Sequence, residues 1–173
     1  MAGPARVAAA AAVLIAAAGA SEASIVAPPE PREVESLFVG ACRDGLRSPE
    51  AFRRAVASST LRFRPINDVA PALHFGGRAS EIYYLAGARC TVRAHLRSLD
   101  SADDIISRIS RLTPLAAVPA AGSVRSYRSD QPVSGGRILV DLTLTPPPPL
   151  RGRFRMYPPS FTLSISAYFV ADE

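Results

Sequence analysis

Two cysteines, Cys42 and Cys90, stand 48 residues apart in differently patterned segments, and no other feature restricts the fold as much as their pairing would. Val34, Leu37, Phe38, Ala41 and Cys42 recur at i, i+3, i+4, i+7 and i+8, so Cys42 falls on the apolar stripe of a helix that should end near Gly45. Cys90, Val92, Ala94 and Leu96 alternate with Arg89, Thr91, Arg93, His95 and Arg97, which puts Cys90 on the apolar side of a strand. A bond between the two cysteines docks that helix across that strand, with Cα atoms about 4.4–6.8 Å apart. In the chain-entropy model a closed loop of this length stabilises by about 4 kcal/mol, large against the ~5–15 kcal/mol of a small domain.

Pairing needs an oxidising compartment, and the N-terminus supplies the route to one. Arg6 is a minimal positive n-region, Val7 to Ala18 is an apolar run, and small residues follow up to Ala23. The run is about a dozen residues, ~18 Å as a helix, short of the ~30 Å a permanent span must cross. Residues 1–23 therefore read as a cleavable signal peptide, with Ser21-Glu22-Ala23 favoured over Ala18-Gly19-Ala20 as the cut. Residues 24–31 read as a Pro-rich linker and 32–173 as a single domain, periplasmic or secreted, with no transmembrane span after cleavage. Val39-Gly40-Ala41-Cys42 mimics a lipoprotein box, but Glu30, Arg32, Glu33 and Glu35 separate it from the apolar run.

All twenty basic residues are arginine. A chain without lysine cannot form a Schiff base, build a Ser-Lys nucleophile pair, or supply the lysine of a phosphate-binding P-loop. Cleavage would remove one Arg and one Glu, so the net charge of +5 persists, spread along the chain. Nucleic-acid binding, which asks for a denser basic patch, is not expected.

The patterning predicts an α+β domain. Ser48-Pro49-Glu50 starts a second helix, with Phe52, Ala55 and Val56 on its apolar side. Leu61 and Phe63 alternate with Arg62 and Arg64 as a short strand, Val69 to Ser80 reads as a long loop, and Ile82 to Leu85 turns back through Ala86-Gly87 into the Cys90 strand. Asp100 or Ser101 caps a middle helix with Ile105, Ile106, Ile109 and Leu112 on its buried stripe, ended by Pro114. Strands follow at Ser123–Ser129, Ile138–Thr145 and Phe161–Val170. The expectation is an antiparallel sheet of about five or six strands, with the two N-terminal helices and the middle helix on its apolar face. The order is also loosely similar to that of NTF2-like cone folds, in which helices over a curved sheet enclose a pocket.

Phe38-x-x-x-Cys42, Ala51-Phe52, Cys90-Thr91-Val92 and Asp141-Leu142-Thr143-Leu144-Thr145 together resemble a group of small exported proteobacterial proteins of unknown function. The resemblance covers most of the chain after the leader. A Gly-Trp pair that similar chains carry after the second helix is missing here. The resemblance implies an envelope location and a paired Cys42 and Cys90, and it carries no catalytic residue.

Candidate chemistry is sparse. His74 and His95 are the only histidines, and neither has a second ligand at metal-site spacing, so no metal and no cofactor are expected. No G-x-S-x-G elbow or Ser-His-carboxylate spacing stands out. Arg93, His95 and Arg97 project from one strand face, where with Ser164, Ser166 and Tyr168 they could meet an anionic or sugar-like ligand if the two strands are neighbours; a plain solvated face is the competing reading. Pro146 to Pro149 with Leu150-Arg151 matches P-x-x-P-x-R, read as a stiff connector, and Arg151, Arg153 and Arg155 form a basic loop suited to anionic lipid or polysaccharide. Two functions follow. One is a non-catalytic envelope protein that binds a partner or anionic ligand. The other is a small hydrolase-like enzyme assembled around His95, whose imidazole titrates near neutral pH. A deep pocket holding His95 and a carboxylate would favour the enzyme, whereas a shallow polar sheet would favour the binder.

Overall fold

A computed structural model describes residues 27–148 and 160–172. Helix α1 (Pro31–Leu37) runs into a π-helical segment (Phe38–Arg43) and is followed by α2 (Pro49–Ala57). Strands β1 (Arg64–Val69), β2 (Ala72–Gly77), β3 (Ser80–Leu85) and β4 (Arg89–Leu96) come next. Helix α3 (Leu99–Leu112) then leads to β5 (Ala116–Val118), β6 (Arg125–Val133), β7 (Gly136–Thr145) and β8 (Phe161–Ala171). All eight strands form one antiparallel sheet in the order β1-β2-β3-β4-β8-β7-β6-β5, two meanders joined where β4 meets β8.

The α+β class stands, with more strands than expected and a different helix layout. The first helix is α-helical only over its first two turns and widens into the π-helical segment before Gly45, although Val34, Leu37, Phe38, Ala41 and Cys42 are all buried as their spacing requires. Gly45 is needed at the exit, because a Cβ there would lie 2.6 Å from the Ala41 carbonyl oxygen. Residues 69–80 are not a long loop. They hold the end of β1, the cis Ala70–Pro71 turn and all of β2, whose Leu73 and Phe75 point into the core. Pro65 is tolerated because β1 is an edge strand, where a missing N–H breaks no inner ladder. Leu61 and Phe63 precede β1 and pack on the core without joining the sheet. Strand β5 is the second addition. Helix α3 is capped by Ser98, not by Asp100 or Ser101: its hydroxyl accepts from the Ser101 N–H at 3.2 Å. Ser48 caps α2 in the same way, accepting from Ala51 N–H at 3.2 Å.

The core lies between the helices and one face of the sheet. Cys90, Val92, Ala94 and Leu96 on β4 pair across β8 and β7 with Ala167, Ile165, Leu163, Val140, Leu142 and Leu144, and all are buried. Cys42 bonds to Cys90 with a Cα–Cα distance of 5.0 Å, inside the range expected for the docked helix. Phe52 from α2 stacks on Tyr84 at 4.3 Å between ring centres, and the Tyr84 hydroxyl donates to the Leu46 carbonyl at 3.1 Å. Phe38, Phe52, Ile105 and Ile109 are at most 1% exposed, so the space that a cone fold would keep open under its helices is filled here.

Glu33 ties α1 to the β2–β3 turn. Its carboxylate accepts from the Glu30 N–H at 2.8 Å, from Thr60 at 2.7 Å and from Arg78 at 2.6 Å. Burial pushes the carboxyl pKa up, but these hydrogen bonds and the Arg78 charge outweigh it and hold the pKa below its ordinary value. Such a group stabilises above its unfolded pKa, and the contribution disappears as pH falls through the lowered folded value. Glu33→Gln is therefore expected to cost roughly 1–2 kcal/mol near pH 7. Urea midpoints should show the gap between variant and parent closing below about pH 4; a gap independent of pH would mean that the charge is not what holds the helix.

Candidate functional site

The alternation that buries Cys90 and its neighbours on one side of β4 turns Arg89, Thr91, Arg93 and His95 to the other. Because β4 pairs with β8, Tyr168, Ser166, Ser164 and Thr162 stand directly opposite those four residues. The register then carries a single polar row over six strands: His74, Tyr83, Thr91, Ser166, Asp141 and Arg128. Among the described residues this face bears no helix.

Its side chains are held by one another. Thr91 and Ser166 share a buried hydrogen bond of 2.8 Å, and Arg89 donates from Nε to Thr91 Oγ1 at 3.1 Å while its guanidinium lies 5.2 Å over the Tyr168 ring. Arg93 lies 5.4 Å over Tyr83 and donates to Glu81 at 3.4 Å. Tyr83 donates to the same carboxylate at 2.6 Å, and this bond, then burial, raises the phenol pKa. The His74 ring stacks on Tyr83 at 4.0 Å, and its Nε2 is buried without a hydrogen-bond partner among the described residues. An orphaned buried nitrogen is uncommon and marks a place where a further polar group would be stabilised. On the far side Arg128 grips Asp141 at 2.7 Å.

Two clefts open on this face. The first, about 420 Å³, is lined by Asn67, His74, Tyr83, Thr91 and the two arginines Arg89 and Arg93, with the apolar Ala72, Leu73 and Leu85 beside them and no carboxylate among the described residues of its lining. The second, about 480 Å³, lies over β6, β7 and β8 and includes Ser126, Arg128, Asp141, Thr143 and Tyr168. Both volumes fall in the range of small-ligand sites. The clefts share Arg89 and Ser164.

Of the residues singled out in the sequence, Arg93 lines the first cleft together with Ser164, the residue opposite it. His95 follows on the same side of β4, but its Nδ1 is 3.4 Å from Thr162 Oγ1 and it lines neither cleft. Arg97 is exposed beyond the end of β4. Arg151, Arg153 and Arg155 lie outside the described residues, as does the 1–23 leader. Arg89 and Thr91 were recoverable, since they share the parity of Arg93. His74 was hidden because its strand read as loop. Among the described residues no group of three or more His, Cys, Asp or Glu is placed to hold a metal ion, and no helix is long and apolar enough to cross a membrane. No protein-family model matches the chain, and neither a curated protein nor a solved structure is significantly similar to it.

Proposed function

We propose that this is a non-catalytic exported protein of the cell envelope that binds an anionic ligand on the helix-free face of its sheet. The observation that carries the reading is the pair Arg89 and Arg93, which line one cleft that has no carboxylate among the described residues of its lining, Glu81 pairing with Arg93 from outside it. Guanidinium groups present forked donors that match a carboxylate or phosphate, and both are already oriented, by Tyr168 and by Tyr83, so little side-chain freedom is lost on binding. Asn67 and His74 line the same space. A catalytic role has less support. The cleft hydroxyl of Thr91 bonds to Ser166 and Arg89, not to a histidine or carboxylate that could take its proton, and His95 lies outside both clefts.

Calorimetric titration of the exported protein with glucuronate and with inorganic phosphate tests this. Saturable binding is expected, weakened about tenfold by Arg89→Gln and by Arg93→Gln, since a hydrogen bond to a charged group contributes roughly 1.5–3 kcal/mol. Equal affinity in parent and variants would reject the site.

A further inference from the structure

Resting on that reading, we infer that the occupant is a linear saccharide, with one acidic unit in the first cleft and neutral hydroxyl-bearing units running over β8 and β7 into the second. The clefts adjoin, with Arg89 and Ser164 in the lining of both, and the polar row from His74 on β2 to Arg128 on β6 crosses five strand spacings. At about 4.8 Å per spacing the groove is ~24 Å long, more than a single small anion needs. Its two ends differ in charge. Each end has an ion-paired arginine, Arg93 with Glu81 and Arg128 with Asp141, but among the described residues Glu81 lies outside the lining of the first cleft whereas Asp141 itself lines the second.

That asymmetry selects the ligand. A polyanion such as a nucleic-acid strand would bring a second phosphate against Asp141, where like charges repel. A sugar hydroxyl both donates and accepts, and the Asp141 carboxylate, the Arg128 guanidinium and the hydroxyls of Ser126, Thr143 and Ser164 answer both needs. An extended peptide recognised through its backbone requires a free sheet edge, and the groove instead crosses strands β4, β8 and β7, whose ladders are already paired on both sides. An acyl chain would find Ala72, Leu73 and Leu85 in the first cleft, but the row that continues over β8 and β7 is Ser166 and Asp141, which gives it no apolar floor there.

The test compares four probes by calorimetry on the exported protein: glucuronate, a linear tetrasaccharide with one terminal glucuronate, the same tetrasaccharide with its carboxyl reduced to the alcohol, and a short single-stranded oligonucleotide. The acidic tetrasaccharide is expected to bind at least about tenfold tighter than glucuronate and than its reduced form. Asp141→Asn should shrink the gain from chain length severalfold, with Thr143→Val as the alternative if the first variant melts at a lower temperature than the parent. If glucuronate binds and the tetrasaccharide gains nothing over it, the saccharide inference fails while the anion site stands. Tighter binding of the oligonucleotide would overturn the inference in favour of a polyanion. If neither glucuronate nor the tetrasaccharide binds, the inference falls, and the proposed function falls with it when inorganic phosphate also fails to bind.

Discussion

Phe52→Ala should lower the unfolding free energy by about 3–5 kcal/mol. Phe52 is fully buried, stacks on Tyr84 and meets Phe75 at 5.9 Å between ring centres. It is the main contact through which the short helix α2 reaches β2 and β3. Truncation would leave a cavity under a helix of nine residues, which has too few backbone hydrogen bonds to persist without its packing. Against a total of ~5–15 kcal/mol, the loss should appear as a large fall in the urea midpoint with little change in slope. Phe52 packs on Phe75 of β2, the strand that carries His74 into the first cleft, so the affinity for glucuronate should fall in parallel. A cost below about 1 kcal/mol would mean that α2 does not dock there.

Replacing both cysteines by Ala should leave the topology intact while lowering stability by roughly 2–4 kcal/mol, because the bond acts largely on the unfolded chain and its removal takes little packed volume. Both positions are fully buried, and the π-helical segment that carries Cys42 packs on β4 and β8. Reduction of the parent should reproduce the double variant. Alkylation of the purified, unreduced protein should find no free thiol; two alkylatable thiols would remove the bond and the reason for placing the first helix across β4.

Much of this arrangement was legible residue by residue. Cys90 to Leu96, Ile138 to Leu144 and Leu163 to Ala167 alternate strictly because one face of each strand meets the core, and that period predicts which side chains turn outward. The alternation of Leu73, His74 and Phe75 carries the same signal in only three residues, and Pro71 with Gly76-Gly77 around it gives the signature of a loop. The three residues of β5 are too few for any period to show. Ser98, Asp100 and Ser101 are all competent caps, and only the extended backbone at Ser98 decides among them. What local pattern cannot contain is the pairing of β4 with β8, segments some seventy residues apart that bring Ser164 and Ser166 against Arg93 and Thr91. The same is true of the joined clefts, which exist because two meanders meet at that seam. Arginine and serine in a strand announce a solvated face. Only their neighbours across the sheet make it a site.

The most direct measurement is an amide-shift titration of the uniformly ¹⁵N-labelled protein with glucuronate, read residue by residue. Binding on the helix-free face predicts saturable shifts concentrated at His74, Tyr83, Arg89, Thr91, Arg93 and Ser164, all following one isotherm that moves to about tenfold higher glucuronate concentration in Arg89→Gln. Saturable shifts confined to α1, α2 and α3, with the polar row unmoved, would contradict the account.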